Sequence, residues 1–310
     1  MKVRLPVPRV APLLLALLTL TACQPPKRLT LAEARRGYVT QLSRLEKTNE
    51  PVVAPPPAQF ALVEYDSKVG RLPAYVSKVP NTGKRSPAII WLTGGFSNSI
   101  GEISWAELPA GNDQSASTFW KAGIVTMYPS LRGGNQNPGY IETLYGEVDD
   151  VIAAARYLKT LPHIDPDRVY LGGHSTGGTL ALLVAETAPA GLFRAVCALG
   201  PVEDPAGYGA EALTYDPFKA RENKLRAPIH WLHSLATTTF VFEGTGDGNI
   251  SSLRALDRAK GGAPLTCFAL QGGDHFSIIR PLSVFLSRKI LASPDGAIVI
   301  TPAEVASKPE

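Results

Sequence analysis

A serine, a histidine and a carboxylate can together split an acyl bond, and this 310-residue chain carries all three in suggestive settings. The serine is Ser175, in Gly173-His174-Ser175-Thr176-Gly177. Glycines two before and two after suit a strained turn in which neighbouring backbone passes too close for a Cβ. Such a turn holds the hydroxyl out, and a helix starting behind it aims its positive end at developing negative charge. A free serine hydroxyl is a poor nucleophile, so it needs a base. Five histidines compete. His174 adjoins the serine and should point away from it, and His163 belongs to the HIDPD turn. His230 and His233 fall in the helical-looking APIHWLHSL, where packing or surface roles are simpler. His275 remains, in GGDHFSII.

The elements that must hold these groups follow from apolar periodicity. Short β-branched or apolar runs occur at 60–65, 73–78, 88–93, 123–128, 168–172, 194–199, 239–243 and 265–270. Between the later runs lie helical patterns. In 146–161, Val148, Val151, Ile152, Ala155 and Leu158 recur at steps of three and four and share one face. The segment 176–188 is apolar all round and should be buried. Residues 30–49 read as one exposed helix of mixed charge, broken by PVVAPPP at 51–57. Strands alternating with helices imply a parallel sheet covered on both faces.

With a strand before it and an apolar helix after it, GxSxG reads as the nucleophile elbow of the α/β-hydrolase fold. The expected architecture is a mostly parallel eight-stranded sheet with helices on both faces and a small lid at 201–237, between strands six and seven. Chain order in this fold is serine, acid, histidine, which places the base at His275, directly after the last strand. The acid should follow the strand between, where TFVFEGTGDGN offers Asp247 and Glu243. Asp247 is preferred, 72 residues after Ser175 and 28 before His275, because its Gly-rich loop can present a carboxylate to the imidazole Nδ1 proton. Glu243 stays open as the competitor, since a variant of the fold uses Glu. Asp274 adjoins His275 too closely to orient its ring and reads as a loop carboxylate. Oxyanion donors are expected at the amide of Thr176 and in the loop after AIIWLTGGF, at Gly95 or Phe96.

Residues 88–280 resemble the catalytic domain of the prolyl oligopeptidase family. The resemblance rests on LTGGFSNSI, YPSLRGG, GEVDDVIAAARYL, IDPDRVYLGGHSTGG, GTGDGN and GDHF, in that order. It implies hydrolysis of peptide or ester bonds through an acyl-serine, with Ser175, Asp247 and His275 as nucleophile, acid and base. Two departures stand out. The family's oxyanion tyrosine precedes GGF, where this chain has Thr93, and its substrate gate is a β-propeller for which this chain has no room. Single-domain relatives of this kind are often esterases. Tyr208, Tyr215, Phe218 and Trp231 of the lid segment are candidates to line an acyl or aromatic pocket, or simply to pack the lid.

Net charge is +4 overall, but the first 22 residues hold Lys2, Arg4 and Arg9 and no acid, leaving 28 basic against 27 acidic residues. That near-neutral remainder argues against a nucleic-acid partner. The basic start, the run VAPLLLALLTL and Leu20-Thr21-Ala22-Cys23 have the layout of a secretory signal, too short to span a bilayer. LTAC resembles the lipobox of bacterial lipoproteins, implying acylation of Cys23, and Gln24 after it implies the outer membrane, facing the periplasm. The expected division is 1–22 signal, 23–57 tether, helix and Pro-rich break, 58–293 catalytic domain and 294–310 tail. Cys197 and Cys267 fall on strands six and eight and should be free thiols. Three scattered cysteines offer no metal site, and no cofactor is expected. Two readings compete: a lipid-anchored serine hydrolase taking a small ester or short peptide, with acyl transfer as a variant, and an envelope lipoprotein that keeps the scaffold only for binding.

Overall fold

Alternation along the central strands decides where everything else packs. In β3 (Ser86–Leu92), Ala88, Ile90 and Leu92 point to one face while Ile89 and Trp91 point to the other, all buried. A sheet apolar on both faces must be covered on both. The computed structural model describes residues 1–3, 28–79 and 83–306, so Cys23 and nearly all of the expected signal segment lie outside the described residues.

The remaining strands are β1 (Phe60–Ser67), β2 (Gly70–Ser77), β4 (Val125–Pro129), β5 (Ile164–His174), β6 (Val196–Leu199), β7 (Thr239–Gly244) and β8 (Leu265–Leu270). All eight apolar runs therefore become strands. They form one sheet in the order β1-β2-β4-β3-β5-β6-β7-β8. From β4 to β8 every pair is parallel, whereas β2 pairs antiparallel with both β1 and β4, so the sheet is mixed. This is the α/β-hydrolase architecture expected from the sequence. Its helices are α1 (Leu31–Arg35), α2 (Thr118–Lys121), α3 (Glu147–Thr160), α4 (Thr176–Thr187), α5 (Ala220–Lys224), α6 (Ile250–Ala259), α7 (Ile279–Ala292) and α8 (Pro302–Ala306). Apolar residues of α3, α4 and α6 join the Ile90 face, and those of α2 and α7 join the Trp91 face. Order along the sheet puts β7 between β6 and β8, and Cys197 and Cys267 are free thiols.

One expectation is corrected. Residues 30–49 do not form one helix. Thr30 and Glu33 close a capping box on α1, which ends after five residues, and Gly37 at φ 71° turns the chain away. The following segment runs extended over the catalytic domain. Ser43 N donates to Thr214 O at 2.8 Å, Thr48 N to Gly133 O at 2.7 Å, and the Glu46 carbonyl accepts from Ile141 N at 2.8 Å. Arg226, fully buried, ties Thr40 to Glu222 and to the carbonyls of Glu142 and Thr143. Tertiary partners for the backbone outweigh a mixed-charge sequence's weak preference for helix. The tail after 293 also packs down, burying Ile298, Ile300 and Val305 on the α7 face.

Candidate active site

Ser175 stands between the end of β5 and the first residue of α4, with φ 55° and ψ −118°. Positive φ is strained for a residue with a Cβ, and it persists because both flanks are pinned. Ser175 N donates to Leu199 O at 2.8 Å, and Thr179 N donates to Ser175 O at 2.9 Å. The glycines two away allow the turn to close: a Cβ on Gly173 would lie 2.4 Å from Gly177 O, and one on Gly177 would lie 2.3 Å from Leu92 O.

His275 leaves the loop after β8 and directs Nδ1 to Glu243 Oε2 at 3.0 Å. Here the preference for Asp247 is corrected. Glu243 is fully buried at the end of β7, and its Oε1 accepts from Gly244 N at 2.7 Å while Oε2 also accepts from Asn249 N at 2.9 Å. These donors hold the carboxylate in place and aim it at the ring. Asp247 instead sits on the surface and accepts from Gly248 N at 2.7 Å. The loop between them explains the exchange. Gly248, at φ 108°, lies so close to His275 that a Cβ there would sit 2.7 Å from the histidine Cβ. The chain thus passes the ring with a residue that has no side chain, and the carboxylate arrives from the strand behind. Asp274 is a loop carboxylate, as expected, accepting from Phe276 N at 2.9 Å and Ser277 N at 2.8 Å.

His174 does point away from the nucleophile, but it has a partner that sequence reasoning missed. Its Nε2 donates to the carbonyl oxygen of His275 at 2.8 Å, and its Nδ1 accepts from Gln114 Nε2 at 3.1 Å. A carbonyl only accepts, so this assigns the Nε2–H tautomer. Burial, with repulsion from a charged His275, pulls the His174 pKa down to about 4. The two rings lie 4.5 Å apart. His174 therefore props the loop that carries His275 from beneath the elbow. His163, His230 and His233 are exposed, as their settings suggested.

The expected oxyanion groups converge at the start of α4. Gly94 N is already used, donating to Gln114 Oε1 at 3.1 Å. Among the described residues, the Gly95 and Phe96 amides have no protein acceptor. As the first residue of a helix, Thr176 has no intrahelical acceptor for its amide. The Thr176 hydroxyl donates to Gly95 O and so fixes the loop to the helix. Of the four lid aromatics, one comes near this centre: the Tyr208 hydroxyl lies 3.1 Å from Thr179 Oγ1, one turn along α4 from Ser175. Its ring packs edge-on against Phe96 at 5.2 Å. Tyr215 and Trp231 are buried within the excursion, bonded to Asn223 and to the Lys224 carbonyl, and Phe218 projects outward.

Comparison with known proteins agrees with this geometry. The prolyl oligopeptidase family profile matches residues 111–276, more than half of the chain. Prolyl oligopeptidase A of Galerina marginata is 32% identical over 149 residues, covering 45% of this chain and 19% of its own. The dual function macrocyclase-peptidase POPB of the same fungus is 27% identical over 235 residues, covering 69% of this chain and 31% of its own. The chain thus spans less than a third of the length of these curated relatives. Among solved structures, an acylaminoacyl peptidase of Pyrococcus horikoshii superposes with a TM-score of 0.63 at 12% identity, over 81% of this chain and 44% of that one, a likeness of fold. Profile match, strand order and elbow all lead to the same conclusion: the chain belongs to the prolyl oligopeptidase family.

Proposed function

We propose that the protein is a serine hydrolase that cleaves an ester or a short peptide bond through an acyl-serine, with Ser175 as nucleophile, His275 as general base and Glu243 as the acid. The observation that carries this is the His275 Nδ1 to Glu243 Oε2 pair at 3.0 Å beside a serine held at positive φ. Glu243, acceptor-only at that contact, keeps the proton on Nδ1 and leaves Nε2 to take the serine proton. Ser175 Oγ then bonds to the carbonyl carbon, and the oxyanion is held by the Thr176 amide and by Gly95 or Phe96. His275 returns the proton to the leaving group, and water, deprotonated in its turn by His275, releases the acyl group. In this reading the Tyr208 hydroxyl, 3.1 Å from Thr179 Oγ1 and one turn along α4 from Ser175, orients the nucleophile, since Thr93 stands where the family has a tyrosine before GGF.

An amine or alcohol that replaces water in the last step turns hydrolysis into acyl transfer. The name of the relative POPB, a macrocyclase as well as a peptidase, favours keeping that variant in view. Labelling with a fluorophosphonate probe, lost in Ser175→Ala, is the expected result. Folded wild-type protein that takes no label would instead identify a binding lipoprotein, and products formed with added amine acceptors separate transfer from hydrolysis. We further propose, from the LTAC sequence, that Cys23 is acylated and tethers the enzyme to a bacterial envelope membrane, the outer one by the Gln24 criterion. Metabolic labelling with an alkynyl fatty acid, abolished in Cys23→Ala, tests this.

A further inference from the structure

The loop that forms the expected oxyanion hole has a second face, and behind it lies a cavity of about 70 Å³ lined by Gly95, Phe96 and Thr176 themselves. None of its lining residues comes from the 201–237 excursion. Its walls are aliphatic: Ile100, Leu131, Ile141, Leu144 and Leu180 each keep between 4% and 9% of their surface accessible. Phe96 and Ile103, at 40% and 42%, are its exposed large apolar lining residues and stand at the mouth.

Among the polar residues that also touch the cavity, Glu147, Asn98 and Thr143 have their hydrogen bonds made within the protein. Both carboxylate oxygens of Glu147 accept, from Asn98 Nδ2, Glu142 N and Tyr145 N. Asn98 spends its amide on Glu147 and on Arg132 O, and the Thr143 hydroxyl bonds to Thr214. A peptide segment reaching past the Gly95 and Phe96 amides would meet mainly aliphatic wall and leave N–H and C=O groups without partners, at a cost an aliphatic chain does not incur. Size narrows the occupant further. A water-sized group needs about 10–15 Å³ of such volume, so the cavity holds roughly six.

We propose that this pocket receives the acyl chain of the substrate, an unbranched aliphatic chain of about six carbons, whose carbonyl oxygen points at the Thr176 and Gly95 amides on the pocket's rim. This rests on the hydrolase reading above and names its substrate class as a medium-chain acyl ester. Each methylene moved from water into such a wall gains about fourfold in binding. From acetyl to hexanoyl, four methylenes, kcat/KM should rise about two-hundredfold with the leaving group held constant, then fall beyond the pocket's length.

The test is a series of 4-nitrophenyl esters from acetyl to dodecanoyl, run on wild type and on Ile103→Trp, a substitution at an exposed position that plugs the mouth. The expected result is an optimum near hexanoyl in wild type, with the hexanoyl-to-acetyl ratio cut at least tenfold by Ile103→Trp. A flat series, a ratio unchanged in Ile103→Trp, or a preference that follows the alcohol portion in esters of varied alcohol overturns the proposal. Binding of hexanamide and acetamide to Ser175→Ala needs no chemistry and keeps the two readings apart. Tighter binding of hexanamide, abolished by Ile103→Trp, supports the pocket even where turnover fails. Equal binding of the two amides overturns it even in an active enzyme, whereas loss of probe labelling overturns only the hydrolase reading.

Discussion

Replacing Glu243 by Gln tests the carboxylate assignment more sharply than deletion, because every partner of that carboxylate is a donor. Oε1 accepts from Gly244 N, and Oε2 accepts from Asn249 N and from His275 Nδ1. A carboxamide has one oxygen and one NH2, so one side must face an N–H with another N–H. With the NH2 on the Gly244 side, His275 keeps its tautomer and loses only the charge opposite it. With the NH2 on the other side, Nδ1 must accept, and the proton moves to the nitrogen that should receive the serine's. Geometry therefore favours the first rotamer, with one donor clash against two, and the lost term is Coulombic. At 3.0 Å and an effective dielectric constant of 20, a full imidazolium–carboxylate pair is worth about 5.5 kcal/mol, or roughly 10⁴ in rate. The unsatisfied buried donor should also lower stability by about 1–3 kcal/mol. Steady-state ester hydrolysis, the rate of fluorophosphonate labelling and urea denaturation read these three consequences separately. Asp247→Asn is the matched control, since among the described residues that exposed carboxylate bonds only to Gly248 N, and it should change kcat/KM by less than about threefold. A Glu243→Gln enzyme that keeps a tenth of its activity, or an Asp247→Asn enzyme that loses it, would refute the assignment.

Three further expectations follow from neighbouring contacts. Tyr208→Phe removes the hydroxyl that lies 3.1 Å from Thr179 Oγ1 beside the nucleophile and should cost roughly fivefold in kcat/KM, the worth of one ordinary hydrogen bond; an unchanged value shows that the hydroxyl does not orient the nucleophile. His174 falls from its ordinary 6.5 to about 4, so the unfolded chain binds the extra proton between those values and stability must fall as pH drops through that window, by up to about 3 kcal/mol. Urea midpoints at pH 7 and pH 4.5 should converge in His174→Gln relative to wild type, and identical pH dependence in both proteins would contradict the burial argument. Burial raises both Cys197 and Cys267 to about 12, so a thiol reagent at pH 8 should react with neither until the protein is unfolded, and rapid modification of the native state would show that the strands around them open.

Much of the scaffold was legible because its determinants are local. Every strand run was apolar or β-branched over five or six residues, and the elbow needs only glycines at fixed offsets around Ser175. His275 followed from chain order alone. The choice between Glu243 and Asp247 was not local. Both sit within five residues of sequence, one at the end of β7 and one in the loop after it, and only the approach of Gly248 to the His275 ring, across 27 residues of sequence, leaves the strand-end carboxylate as its partner. Helix pattern misled at 38–49 for a related reason: the backbone there is satisfied by Thr214, Gly133 and Ile141, none of which is near in sequence.

By itself, then, the sequence determined an α/β sheet, a serine in a strained turn and a histidine after the last strand, since periodicity and turn chemistry act within a few residues. Tertiary structure alone decided which carboxylate faces the imidazole, that His174 supports the base, that Tyr208 meets Thr179 and Phe96 and that an aliphatic cavity opens behind Gly95 and Thr176. Those are contacts between residues 29 or more positions apart in the chain, whose meeting only packing sets.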